Sequence, residues 1–127
     1  MMSGLLLNLM LIVAMATSVA GSANRAPMAG DDNRILLFQP ATVVEIPVLD
    51  NDLDADGDPL QVVAVWTTQG GAAQVVEGAT VRVLIDWSRI SGCFQECLVA
   101  AGAYLVSDGT ALRQARWSVW YWPVMQP

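Results

Sequence analysis

From residue 34 onward the apolar residues fall in short runs separated by turn formers, and no segment sustains the spacing of an amphipathic helix. The runs predict strands over 34–38, 42–49, 60–68, 72–76, 79–85, 103–107 and 115–124. In the second run Val44, Ile46 and Val48 share one face and Glu45 and Pro47 the other; the proline puts this strand near an edge or beside an unpaired stretch. Glu77-Gly78 and Asp108-Gly109 are tight hairpin signals, and Gly70-Gly71 closes the third run. Seven short strands with largely apolar faces predict an all-β, two-sheet sandwich. One connection, residues 86–100, is long for such a fold, and CFQECLVAA within it suits one helical turn or a compact loop.

The segment before these strands reads differently. Residues 5–20 are apolar and uncharged, interrupted by Asn8 and a few small polar residues, and make a poor membrane span. Small residues follow, so that a signal peptidase has sites after Ala20 or Ala23. Residues 1–23 are therefore read as a signal peptide, whose positive end must come from the amino terminus itself. An uncleaved anchor is the alternative. A short leader, residues 24–33, is expected to be mobile, and the sandwich to occupy residues 34–123. No membrane span is expected once the signal is removed, and the protein is expected in the periplasm, at the cell surface or outside the cell.

Net charge and missing residue types narrow the function. The chain carries a net charge of -6 and its cations are all arginine, so its surface repels phosphate backbones and nucleic acid is excluded as a partner. It has no histidine, which removes triad chemistry and the usual zinc sites. A paired-carboxylate hydrolase needs a walled cleft that so small a sandwich seldom provides. The expectation is a protein that is not an enzyme.

The acidic residues are concentrated. In DNDLDADGDPL, Asp50, Asp52, Asp54, Asp56 and Asp58 occupy alternate positions, and such neighbours repel by up to about 1 kcal/mol per pair even in water. A hard cation offsets this, and calcium accepts six to eight oxygens in a geometry that a loop can supply. Gly57 lets the backbone turn between the last two aspartates. No EF-hand fits, because Val63 stands where that motif needs its twelfth-position glutamate. The same residue types also initiate solvated turns, which is the competing reading. In the common strand order of a seven-stranded sandwich the loops around 50–59, 77–78 and 108–109 share one pole with the start of the first strand. Asp108 becomes a sixth candidate ligand, with Asn51 and Glu77 in support, and Asp31 and Asp32 join the pole unless the first strand changes sheet.

Two other features carry chemistry. Cys93 and Cys97 are four apart, which in a helical turn places their α-carbons about 6 Å apart, and an oxidising compartment favours a bridge over two buried thiols. In the last strand Trp117, Val119 and Tyr121 alternate with Ser118, Trp120 and Trp122. Trp120 and Trp122 are candidates for a platform that takes a sugar or a protein; the alternative is that they cover the 86–100 connection and the sheet edge.

The residues also carry a family resemblance. VVEIPVLDNDLDADGDPLQVVAV, the Gly70-Gly71 pair and YLVSDG together resemble the bacterial Ig-like and cadherin-like repeats of secreted and surface adhesins, over about residues 31–122. The resemblance implies a Greek-key, seven-stranded Ig-like or cadherin-like sandwich with calcium at the acidic loop, and a structural or adhesive role toward an unknown protein or glycan partner. Three departures stand out. Gly102 replaces the aromatic usually found two residues before the tyrosine, which weakens the core there. The cysteine pair is unusual for the family. Most members occur in tandem arrays, and here a single copy follows the signal.

Overall fold

The computed structural model describes residues 23–123. The expected signal peptide, apart from Ala23, lies outside the described residues. Seven strands follow in order: β1 (Asp32–Leu37), β2 (Val43–Ile46), β3 (Gln61–Gln69), β4 (Ala72–Val76), β5 (Thr80–Leu84), β6 (Cys97–Ser107) and β7 (Leu112–Trp122). They form two sheets, β1-β7-β6-β3 and β2-β5-β4. This is the expected all-β Ig-like sandwich.

The core is built by alternation. Val44 and Ile46 of β2 and Val81 and Val83 of β5 turn inward from the smaller sheet, against Val62, Tyr104, Val106, Trp117 and Val119 of the larger one. Strand β2 stops at Ile46 because Pro47 has no N–H to continue a ladder, and a single 3-10 turn, Val48–Asn51, leads into the acidic loop. The chain changes sheet between β3 and β4 at Gly70-Gly71. A β-carbon at Gly70 would lie 2.0 Å from the carbonyl of Val99, and one at Gly71 2.0 Å from that of Leu84, so only glycines pass between the two layers.

Two readings are corrected, and one open alternative is settled. Strand β1 takes the change of sheet that the sequence left open: it pairs in parallel with β7, Asp32 opposite Trp117 and Leu37 opposite Trp122. Strand β6 begins at Cys97, six residues before the predicted start at Ala103. It lies between β3 and β7 and carries small residues, so no polar face marks its first half. The weakened core at Gly102 is instead filled from the neighbouring strand. Trp117 pairs with Gly102 across the ladder and is 1% exposed, and a β-carbon at Gly102 would fall 2.5 Å from its Cζ2.

The long connection between β5 and β6 is a pinned loop. Asp86 accepts from the Ser88 N–H, and Trp87 donates from its indole to the Ala41 carbonyl at 2.8 Å. The Trp87 ring stands edge-on to Tyr121 at 5.1 Å. Cys93 and Cys97 are bridged across a Cα–Cα distance of 5.8 Å, the second cysteine already in β6, so the bridge ties a loop to a strand and no helical turn forms between the cysteines.

The fit of Trp117 over Gly102 is testable. Gly102→Ala also brings a methyl group to 2.0 Å from the Trp66 carbonyl, and is expected to cost about 2–3 kcal/mol as an overpacked site. Urea denaturation measures it; a loss under about 0.5 kcal/mol would show that the indole can move aside.

Candidate functional site

The loop between β2 and β3, the β4–β5 turn and the β6–β7 loop meet at one end of the sandwich. The Gly78 carbonyl accepts from Val62, and Pro59, Leu60, Glu77, Asp108 and Gly109 line a single surface cleft there. Residues 24–31, expected as a mobile leader, are tied to the same end. Met28 and Leu53 exchange backbone hydrogen bonds at 2.7 and 2.9 Å, Asn24 donates to Asp108 Oδ2 at 2.9 Å, and Gly30 N donates to Asp52 Oδ1 at 2.8 Å.

The acidic loop divides into an inner and an outer part. Asp52, 7% exposed, turns inward to accept from the Tyr104 hydroxyl at 2.8 Å. That hydroxyl also has Asp32 Oδ2 at 3.0 Å, the Gly30 carbonyl at 3.1 Å and the Val48 carbonyl at 3.3 Å around it. Strand β1 changes sheet, yet Asp32 stays at this pole because Tyr104 holds it beside Asp52. Burial pushes the Asp32 carboxyl up to about 6, and the charges of Asp52, Asp31 and Asp50 add to the effect while the Tyr104 bond opposes it. Burial, and then the bond to Asp52, push the Tyr104 hydroxyl well above the ordinary tyrosine range.

The outer part gathers Asp54, Asp56 and Asp58, each offering an oxygen within 4.8 Å of the others. Asp54 starts a turn closed by Gly57 N to its carbonyl, and its Oδ2 accepts from Asp58 N at 2.6 Å. Asp54 Oδ1 is buried with no hydrogen-bond partner among the described residues. Desolvation, then the charges of Asp54, Asp108 and Asp56, raise the Asp58 carboxyl above its ordinary value. Asp56 is held below its ordinary value by Arg25, whose backbone N–H donates to Oδ2 at 2.7 Å and whose guanidinium reaches Oδ1 at 2.9 Å.

The remaining predicted residues lie outside this trio. Asp108 caps its own loop, Oδ1 accepting from Thr110 N and Ala111 N, and these bonds with that of Asn24 hold its carboxyl low. Asp50 and Asn51 belong to the 3-10 turn, where both are exposed and Asn51 Nδ2 donates to the Asp31 carbonyl. Glu77 occupies the β4–β5 turn with a positive φ of 54°. Sequence reasoning missed Arg25 and Asn24 because an isolated arginine in a polar leader carries no periodic signal. The excess of carboxylates that need a counter-charge was the available clue.

Trp120 and Trp122 face away from the core on β7. Trp120 is half-buried and its indole N–H donates to Ser118 Oγ at 3.2 Å, whereas Trp122 is 38% exposed. The aromatic residue that packs against the β5–β6 connection is Tyr121, through Trp87.

Two outcomes follow from the Tyr104 bonds. Tyr104→Phe leaves Asp52 Oδ2 without its donor and is expected to cost about 2 kcal/mol or more in a urea melt, where an unchanged midpoint would rule out the hydroxyl as a brace. Because Asp32 holds its proton to about 6 in the fold against an ordinary value of 3.8, the stability from its protonation is complete below the ordinary value. It is lost as pH rises through about 6. Asp32→Asn is thus expected to raise the thermal midpoint at about pH 7.5 and leave it unchanged at about pH 4. Equal shifts at both values would contradict this linkage.

A family model described as Bacterial Ig domain matches residues 24–116, a span that includes the docked leader. No curated protein and no solved structure matches the chain.

Proposed function

The chain belongs to the bacterial Ig domain family, and from that membership we propose a non-catalytic structural and adhesive module, secreted to the cell exterior, that binds calcium at its acidic pole. The family suggests the structural role and is one in which catalysis is not typical. Among the described residues no helix is long and apolar enough to cross a membrane. The absence of histidine is in keeping with a non-catalytic role. Asp32 and Asp52 share a hydroxyl donor, but Asp52 is buried beneath it and braces the fold.

The observation that carries the calcium reading is Asp54 Oδ1. It is a buried carboxylate oxygen without a partner among the described residues, beside oxygens of Asp56 and Asp58. A dehydrated anionic oxygen among like charges is costly, and a hard cation with oxygen ligands relieves that cost. Asp54, Asp56 and Asp58 are the residues that would hold it. Asp52 and Asp108 already accept hydrogen bonds that fix the loops around the site, so their part is to shape it. Arg25 offers a competing positive charge at Asp56, which tunes the affinity downward.

Extracellular calcium modules bind at roughly 0.1–1 mM, so about 2 mM calcium should stabilise the fold by roughly 0.6–2 kcal/mol, or raise the thermal midpoint by roughly 3–14 °C. Asp54→Asn should abolish that rise and Arg25→Ala enlarge it. Melts of the three proteins with calcium and with chelator test the reading, and a wild-type midpoint indifferent to calcium would sink it.

A further inference from the structure

The outer face of the four-stranded sheet carries a cleft of about 600 Å³ that borders the acidic pole at Asp31 and Asp32 but contains none of Asp54, Asp56 and Asp58. Its volume falls within the roughly 300–1,000 Å³ of small-molecule sites. Trp66 of β3 and Trp120 of β7 both line it, and Ala101 and Ala103 of β6 lie on the strand between them. Trp66 lies beside Ala103 and Trp120 beside Leu98, so the two indoles stand diagonally across a trough whose floor is made by Ala101, Ala103 and Leu98.

Simple alternation along β3 would set Trp66 on the same side as Val62, which is 2% exposed. The register instead shifts between Val62 and Ala64, after which Val65 packs on the core and Trp66 is 38% exposed. A bulge of this kind re-aims the side chains that follow it, here as far as the second shift between Thr67 and Gln69. On the far side Trp120 is held by a cross-strand chain, in which its indole N–H donates to Ser118 Oγ and that hydroxyl donates to Asn33 Oδ1. The indole is therefore fixed before any ligand arrives, which lowers the entropy cost of binding.

The polar groups around the trough are mostly neutral. Thr68 and Gln69 donate to the carbonyls of Ala101 and Leu98, and the Gln114 amide, the Asn33 Nδ2 and the Arg116 guanidinium make no side-chain hydrogen bond to any described residue. Asp31 and Asp32 border the cleft, on a chain of net charge -6. An anion is disfavoured there, and a wholly apolar ligand would leave the amides unpaired. The ligand that suits flat indoles and neutral donors together is one with an apolar C–H face and a rim of hydroxyls.

We propose that the trough between Trp66 and Trp120 is a binding site for a neutral oligosaccharide, with pyranose faces against the indoles and hydroxyls paired with Asn33, Gln114 and Arg116. Trp122 does not line this cleft, so the working pair joins β7 to β3 and does not run along the last strand. The site rests on the outward turn of Trp66 and is independent of the calcium reading.

The full chain, with calcium present, is titrated with cello-, xylo-, manno- and chito-oligosaccharides and with an oligogalacturonate, following tryptophan fluorescence and heat. At least one neutral series should bind and the acidic one should not. Affinity should fall about tenfold or more in Trp66→Ala and in Trp120→Ala, and by less than about twofold in Trp122→Ala, with thermal midpoints retained. Ala101→Leu fills the trough without touching either indole and should weaken binding to a similar degree. The proposal is overturned if no neutral saccharide binds, if the acidic one binds best, or if binding survives both tryptophan changes. Capture of a protein partner by this face without any saccharide binding would overturn it equally.

Discussion

One hydroxyl group organises the acidic end of this sandwich. Tyr104 is fully buried on a central strand, and four acceptors from the leader, β1, the 3-10 turn and the acidic loop surround its single donor. A tyrosine can donate only once, so the arrangement works by placing carboxylates and carbonyls around a shared polar point instead of leaving each in apolar surroundings. The entry of the chain, the end of β2 and the start of the loop are thereby fixed relative to the large sheet. Everything that follows on the loop, including the position of Asp54, inherits its placement from this bond set.

The charge at that pole is handled in several ways. Asp108 disperses its charge over backbone N–H groups, Asp56 meets an arginine from a distant part of the sequence, and Asp32 shifts toward its neutral form. The trio on the outer loop retains a buried oxygen without a partner among the described residues. With Asp32, Asp56 and Asp108 answered internally, that oxygen is the position where an external cation would have the most to offer.

Much of this was legible in the residues. Strand β4 falls where the apolar run placed it, and the glycine-containing turns at 78 and 109 close hairpins as their chemistry requires. The strands that the pattern misread share a cause, which is burial or irregularity that erases the period of two. Strand β6 has neighbours on both edges and small residues on both faces, so its first half resembles a loop. Trp66 was given no role because the shift after Val62 breaks the alternation that a pattern assumes. The docking of Arg25 on Asp56 spans a separation of 31 residues, and only a three-dimensional account of charge reaches it. The composition of the loop announced the acidic site, but its division at Asp52 depends on Tyr104, 52 residues away.

The parallel pairing of β1 with β7 has a mechanical meaning. The first strand starts at the acidic pole and the last one ends at the opposite pole, beside the disulfide-pinned connection. A pull that separates those two ends runs along both strands in opposing directions. It therefore loads the register from Asp32–Trp117 to Leu37–Trp122 in shear, so that the whole ladder must give way together and cannot unzip pair by pair. Forced unfolding is governed by a rate, and a ladder loaded in this direction places the barrier early in the extension. Under such a load the parallel strand pair would have to part before the rest of the larger sheet began to open.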